Sequence, residues 1–198
     1  MGRLLTVGVL AGATAAGIAV ARVARDPGVL PAPAATVQGW VEFRAAYRQV
    51  RDGRVEAVGV FHRGRDGSTR RETRDPDGTL RFVAIENIAE NRYYGYAGGA
   101  WSAQPLRLLA PRVPPGPRPD LLPVSERVEG LELQRELTPE GAVLLRAPAL
   151  NFFPVVEYYS DPPMSREHHD IVIGPVDPAL FRPPAVPVDE LPWPYLTR

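Results

Sequence analysis

Apolar and polar residues alternate with a period of two along much of the chain after residue 36. In the first such stretch, Phe43, Ala45 and Tyr47 are interleaved with arginine and alanine. This spacing predicts a β-strand with one buried face, because successive side chains of a strand point to opposite sides. Residues 40–50 also carry apolar side chains at helical spacing, so an amphipathic helix is the alternative. The Asp-Gly pair directly after this stretch favours the strand.

Turn signals divide the same region into short segments. Asp-Gly pairs occur at 52–53, 66–67 and 77–78, and a Gly-Gly pair occurs at 98–99. Both residues of a two-residue hairpin turn need a positive φ, which Gly adopts freely and Asp tolerates. We therefore predict a mainly β fold, an antiparallel meander of roughly nine or ten strands that forms a curved sheet, a half-barrel or a sandwich. The strands predicted after the first are 55–62, 68–74, 79–88, 92–97, 100–104, 131–137, 142–147, 152–160 and 166–173.

Prolines interrupt the pattern in two places. Residues 105–123 contain seven prolines, which excludes regular helix and a central strand, so we expect an extended surface crossing there. Residues 185–198 are predicted to form an extended, proline-rich arm. Leu191, Trp193 and Tyr195 are its candidate partner-docking residues, because buried aromatic side chains dominate binding hot spots. The alternatives are an arm packed on its own sheet and a disordered end.

The N-terminal segment, residues 1–25, is the other departure from the strand pattern. Residues 4–21 carry no charge, and as a helix they would span about 27 Å, close to the hydrocarbon core of a bilayer. They are predicted to be a membrane anchor or a cleaved signal segment. Gly8, Gly12 and Ala16 stand four residues apart and would form a groove for helix packing, although signal sequences are also rich in Ala and Gly. We expect a bacterial inner-membrane location, with the main domain on the periplasmic side.

These patterns divide the chain into four parts. An anchor or signal segment (1–25) is followed by a linker (26–35), a β-rich extracytoplasmic domain (36–184) and an extended tail (185–198). One small turn is predicted inside the domain, at 177–181, with Asp177 as its cap and Pro178 at its first position.

Composition narrows the possible functions. The 23 basic and 23 acidic side chains balance, so the sequence shows no basic footprint for nucleic acid. The chain has no cysteine, which excludes disulfides, thiolate catalysis and cysteine-ligated metals. Every basic residue is Arg, so Schiff-base chemistry and a phosphate-binding P-loop lysine are excluded as well.

Side chains that could carry chemistry are few. Residues 167–170 (Glu-His-His-Asp) form the densest group of potential metal ligands, but on a strand they divide between two faces. Glu157, beside two tyrosines, is the best candidate for a catalytic carboxylate. The aromatic group at 93–101 fits core packing better than nucleic-acid stacking. We therefore predict no catalytic residue, no cofactor and no metal site.

The strand series and the closing segment 176–184, Val-Asp-Pro-Ala-Leu-Phe-Arg-Pro-Pro, resemble exported proteins of the outer-membrane lipoprotein carrier superfamily. The resemblance covers at most residues 39–184. It implies an exported protein with a curved antiparallel sheet wrapped as a half-barrel about helices, and only residues 40–50 could supply such a helix here. It carries over no binding residue.

Together these features predict a non-enzymatic accessory subunit of a larger membrane protein complex, of photosynthetic or respiratory type, attached through its anchor helix and its extracytoplasmic domain. The alternative is a periplasmic carrier that holds a lipid, an acyl chain or a lipoprotein in a concave face.

Overall fold

The computed structural model describes residues 39–106 and 113–191. These ranges contain two short 3-10 helices, Pro148–Leu150 and Pro178–Phe181, and twelve β-strands. The strands are β1 (Phe43–Arg51), β2 (Arg54–Arg63), β3 (Thr69–Arg74), β4 (Leu80–Asn87), β5 (Arg92–Ala97), β6 (Ala100–Pro105), β7 (Leu122–Val128), β8 (Leu131–Leu137), β9 (Val143–Ala147), β10 (Phe153–Ser160), β11 (Pro163–Ile173) and β12 (Val188–Glu190).

All twelve strands belong to one sheet, in the order β12-β6-β5-β4-β3-β2-β1-β11-β10-β9-β8-β7. The first six strands form one antiparallel meander, and β7 to β11 form a second one. The two meanders join where β1 pairs antiparallel with β11. β12 pairs parallel with β6, so the sheet is mixed, and its strand order has two ends and does not close over the described residues.

The mainly β prediction is confirmed, and residues 43–51 form a strand, not the alternative helix. The predicted strand number was too low because β7 and β12 were missed. The extended crossing predicted at 105–123 ends earlier in the structure, because Leu122 and Pro123 belong to β7. Pro123 is tolerated because β7 is an edge strand, where a missing backbone donor leaves no neighbour unpaired.

The hairpin turns follow two patterns, of which the sequence predicted one. Asp52-Gly53 has positive φ at both residues, as a two-residue turn requires. The connections at 66–67 and 77–78 are longer, and only the glycine has a positive φ. In these, the Asp side chain accepts a hydrogen bond from the backbone N–H two residues later, which is that of Ser68 at 2.8 Å and that of Thr79 at 2.9 Å. The aspartates there cap the loop and do not occupy a left-handed position.

The sheet is strongly curved around β1. We call the face of β1 that carries Phe43, Ala45 and Tyr47 the inner face. Phe61 on β2 and Phe153 on β10 stack with ring centroids 4.7 Å apart, although β1 and β11 lie between their strands. In a flat sheet three strand spacings would separate the two backbones by roughly 14 Å. The inner face is therefore concave here.

The main hydrophobic core fills this concavity. Phe43 packs against Phe153 at 5.0 Å and against Phe61 at 5.6 Å between ring centroids. The buried residues of this core come from β1, β2, β8, β9, β10 and the first 3-10 helix: Phe43, Ala45, Phe61, Leu131, Leu133, Ala147, Leu150, Phe153, Val155 and Val156.

A second, smaller core lies on the opposite face of the first meander. Val83 and Ile85 of β4 pack there with Trp101 of β6 and with Phe181 of the second 3-10 helix. The predicted cap of that turn is confirmed, because the Asp177 carboxylate accepts a hydrogen bond from the Ala179 N–H at 2.9 Å. The closing segment of the domain thus covers the face of β4 that the first core leaves free.

The proline-rich crossing joins opposite ends of the sheet. β6 lies next to one edge and β7 forms the other, ten strand spacings away in the sheet order. Residues 107–112 of this crossing lie outside the described residues.

Several predicted features lie outside the described residues. These are the anchor or signal segment, with Gly8, Gly12 and Ala16, the linker 26–35, and Trp193 and Tyr195 of the tail. Among the described residues, no helix has the length and apolar character needed to cross a membrane. The beginning of the tail is described, and its residues 188–190 form β12 along the β6 edge.

Candidate functional site

Two surfaces of the domain carry features that packing alone does not explain. One is a buried polar cluster on the concave inner face. The other is a row of apolar side chains on the outer face, which is the opposite face of β1 and carries Arg44, Arg48 and Val50.

The polar cluster begins with Tyr47, which lies across Gly59 of the neighbouring strand. The two residues are directly opposite in the β1–β2 pair, and a Cβ at Gly59 would come within 2.5 Å of the Tyr47 ring. Because this space is open, the Tyr47 hydroxyl reaches β3, where it lies 2.6 Å from Thr73 Oγ1 and donates to the Glu72 carbonyl at 3.1 Å. Tyr47 is 1% exposed, so these contacts fix its ring on the inner face.

His168 lies opposite Tyr47 in the β1–β11 pair and is 2% exposed. Its ring centroid is 4.8 Å from that of Phe153, 5.6 Å from Tyr47 and 6.3 Å from Phe61. Neither ring nitrogen meets hydrogen-bond geometry with any described residue, although the Val155 backbone lies nearby. Burial, followed by the positive charges of Arg71 and Arg166, lowers the pKa of His168 to about 3. The imidazole is therefore neutral at pH 7.

Charged side chains border the aromatic rings that surround His168. Arg166 of β11 donates to both Glu157 carboxylate oxygens, at 3.2 and 3.3 Å, and Glu157 is 6% exposed. The Tyr159 hydroxyl donates to the same carboxylate. Burial and the Glu157 carboxylate raise the pKa of Tyr159, so its hydroxyl stays protonated. Arg71 of β3 lies over the Phe61 ring, with its guanidinium carbon 5.9 Å from the ring centroid.

Arg63 is a second buried cation, and it contacts Trp40 near the start of the described residues. Arg63 is 4% exposed, and its guanidinium carbon lies 4.9 to 5.1 Å from the ring centroids of Trp40, Phe43 and Phe153. It donates one hydrogen bond, to the Leu150 carbonyl at 3.0 Å. Burial lowers the pKa of Arg63 to about 10. The aromatic faces replace much of the solvation that this cation loses.

The outer face carries a row of side chains, one from each of six neighbouring strands. Directly opposite residues in each antiparallel pair bring Leu137, Val143, Tyr158, Ser165, Val50 and Val55 into one line from β8 to β2. We call these six residues, which are five apolar side chains and Ser165, the apolar row. Leu137 is 70% exposed, Tyr158 46% and Val55 45%, whereas the other three are half-buried. Five strand spacings give it a length of roughly 24 Å.

The predicted ligand group at 167–170 is divided by the structure. Glu167 pairs with Arg48 on the outer face at 2.7 Å, whereas His168 is buried on the inner face. Asp170 has a positive φ beside an irregularity in the β1–β11 register, which breaks the regular alternation. Its carboxylate lies 2.9 Å from His169 Nδ1. Within residues 39–106 and 113–191, no three potential metal ligands come together.

Of the predicted docking residues, Leu191 is the one that the structure describes. It follows β12, is 47% exposed, and its backbone N–H donates to the Ala103 carbonyl at 2.9 Å. Sequence reasoning missed the inner-face cluster, because Tyr47, Arg71 and His168 come from three distant segments. Its one available signal was a histidine on a strand with an alternating pattern.

Comparisons with known proteins give the fold and little more. No family model and no curated protein matches this chain. Among solved structures, it is similar to PNGF-II in a C2 crystal form, with 11% sequence identity and a TM-score of 0.51, over 76% of this chain and 31% of that chain. A P21 form of PNGF-II gives 10% identity and a TM-score of 0.48, over 76% and 32%. This chain thus spans about a third of the length of either PNGF-II chain, and the likeness concerns the fold alone.

Proposed function

We propose that this chain is a non-enzymatic, membrane-anchored accessory subunit of a larger membrane protein complex. In this proposal residues 4–21 hold the chain in the inner membrane, and the β domain lies on the periplasmic side. The domain binds its host complex through the apolar row of the outer face and through the tail that begins at Leu191.

The apolar row is the observation that carries this proposal. Single exposed apolar residues are common on protein surfaces, but several on neighbouring strands of one face, here with Ser165 between them, favour a binding surface. The row is built from strands of both meanders and crosses the pair that joins them. The strands that present it are fixed by the inner core on their other face, so the surface is already ordered before binding. Such order lowers the entropic cost of association.

The tail supports the same proposal. β12 adds three residues to the β6 edge, and Leu191, with nearly half of its surface exposed, still donates its backbone N–H to the Ala103 carbonyl. Trp193 and Tyr195 follow within four residues, between prolines that limit the backbone conformations. Pairing of β12 therefore fixes the point from which these aromatic side chains start.

The carrier of a lipid, acyl chain or lipoprotein remains the second candidate, favoured by the curvature of the sheet. Such a carrier needs an open apolar concavity. Here Phe43, Phe61 and Phe153 pack against one another at centroid distances of 4.7 to 5.6 Å within the concavity. An acyl chain would have to displace these rings, and this weighs against the carrier.

A copurification experiment with two matched variants tests the proposal. Leu137 is 70% exposed within the apolar row, and Val113 is 72% exposed outside it. The tagged full chain is extracted from its native membranes in mild detergent, and the partners are identified by mass spectrometry. Leu137→Arg should reduce recovery of the host complex by about tenfold or more, because it places a charge at the most exposed apolar side chain of the row. Val113→Arg should leave recovery unchanged, and both variants should keep the wild-type melting temperature.

Two results would overturn the proposal. Wild-type recovery of the complex with Leu137→Arg would remove the apolar row from the interface. Recovery of the chain as a monomer with stoichiometric lipid, and with no membrane complex, would favour the carrier.

A further inference from the structure

The inner-face cluster contains more unpartnered polar atoms than any other part of the described domain. Arg71 Nε, Arg166 Nε and both ring nitrogens of His168 are buried and have no hydrogen-bond partner among the described residues. Each buried polar group left unpaired destabilises the folded state, because it has lost its hydrogen bonds to water. Such groups are rare in folded proteins, and four in one place call for a partner molecule.

The charges of the cluster do not balance. Arg166 shares the Glu157 carboxylate with Tyr159 and is held by contacts no shorter than 3.2 Å. Arg71 forms no ion pair with a carboxylate of the described chain. Its charge acts instead on His168, Tyr93 and Tyr159. Arg71, Arg166 and Glu157 together carry one net positive charge, and Glu86 is a further carboxylate that acts with Arg71 on Tyr93.

We propose that the inner face binds a compact oxyanion, a carboxylate or phosphate group, between Arg71, Arg166 and His168. The two guanidinium groups donate to the anion as charged donors, which gives the strongest class of protein hydrogen bond. His168 donates through whichever ring nitrogen carries its proton. The Phe61 and Phe153 rings exclude water from this position and so strengthen each of these interactions.

The chemistry of the cluster favours an anion over the other ligands that a buried histidine could bind. A metal cation could bind the neutral imidazole, but two nearby guanidinium groups would repel it. A water molecule could pair with His168 but would leave the positive charge uncompensated. An oxyanion does both: it supplies acceptors for the unpartnered donors, and it neutralises the excess positive charge.

The site is independent of the proposed docking function. Tyr47 and His168 face inward, whereas the apolar row lies on the outer face of the same strands. Loss of complex binding in the Leu137 variant would therefore leave the oxyanion site intact, and loss of the oxyanion site would leave docking intact.

A titration of the full chain in mild detergent with inorganic phosphate tests the site, with the His168 ring resonances as the readout. Phosphate should shift these resonances in a saturable way. Arg71→Gln should weaken the affinity by about tenfold or more, because it removes a charged donor. Arg71→Lys keeps the charge but loses the planar fork, so it should bind with intermediate affinity. Arg44→Gln, an exposed site on the outer face, is the matched control and should bind like the wild type.

A second titration, with butyl phosphate, distinguishes the source of the anion. Equal affinities for the two probes would identify a free oxyanion as the ligand. Tighter binding of butyl phosphate would identify the charged head of a larger molecule. No saturable change at His168 with either probe, or wild-type affinity in a folded Arg71→Gln protein, would overturn the proposal. An equal loss in the Arg44→Gln control would also overturn it, because binding would then follow total charge and not this site.

Discussion

Acid should destabilise this domain through His168. The pKa of the buried ring is about 3, against 6.5 for an unperturbed histidine, because burial and then the Arg71 and Arg166 charges disfavour its protonated form. Below pH 6.5 the unfolded chain binds a proton at His168 that the folded chain excludes until pH falls to about 3. The unfolded state then binds more protons, so the free energy of unfolding decreases as pH falls through this window.

The size of the effect follows from the two pKa values. Each pH unit well inside the window changes the free energy of unfolding by about 1.4 kcal/mol. Between pH 7 and pH 5 the expected loss is roughly 2 kcal/mol, and the total approaches roughly 5 kcal/mol near pH 3. Burial also lowers the pKa of His62, which acts in the same direction, so the contribution of His168 has to be isolated by substitution.

Urea denaturation at pH 7 and pH 5, in a buffer without phosphate or carboxylate, measures this contribution. His168→Leu keeps a side chain of similar volume among the rings and should lose roughly 2 kcal/mol less than the wild type over the two pH values. His169→Gln, at an exposed neighbour, should retain the wild-type pH dependence. If His168→Leu and the wild type lose the same stability on acidification, His168 is not excluded from protonation and the description of its environment is wrong.

Three further changes probe other parts of the structure. Gly59→Ala should destabilise the domain by roughly 2 to 4 kcal/mol, since its methyl group would collide with Tyr47 and break the hydroxyl contacts to β3; thermal unfolding measures this, and wild-type stability would contradict the packing. Arg63→Met should change the free energy of unfolding by less than about 1 kcal/mol, because Met fills the space between the Trp40, Phe43 and Phe153 rings. Arg63→Ala should lower it by about 3 kcal/mol, because Ala leaves a cavity there. Equal losses in the two would show that the guanidinium charge is needed. Truncation after Leu191 removes the aromatic tail but keeps β12, so melting temperature should stay constant while recovery of the host complex falls; the reverse pattern would show that the tail packs on its own sheet.

The sequence was most informative where a strand has one buried face and a clear turn. β1 shows both, because Phe43, Ala45 and Tyr47 face one core and Asp52-Gly53 ends the strand. β7 lacks the buried face, since it is an edge strand and its alternation is broken by an irregularity between Val124 and Arg127, and its tight turn is Glu129-Gly130 and not Asp-Gly. β12 has three residues, too few for a period to be recognised.

The inner-face cluster was beyond local pattern analysis for a different reason. The alternation at 167–170 correctly separates Glu167 from His168, but it does not reveal what His168 faces. That depends on which strands become neighbours, and Tyr47 pairs with His168 across about 120 residues of sequence. The open space at Gly59 that admits the Tyr47 ring, and the curvature that brings β3 towards β10, are likewise set by the assembled sheet.

The pairing of β1 with β11 also has a consequence for how the protein is made. Within each meander the strands pair with their neighbours in sequence, and short loops close quickly. The β1–β11 pair joins the first strand of the domain to its last long one, so it carries the largest loop-closure entropy and should limit the folding rate. During synthesis the first meander is complete long before β11 emerges, and until then β1 presents an unpaired edge. A nascent chain held at this stage is open to edge-to-edge pairing with another copy, and it depends on rapid completion or on a chaperone to avoid it.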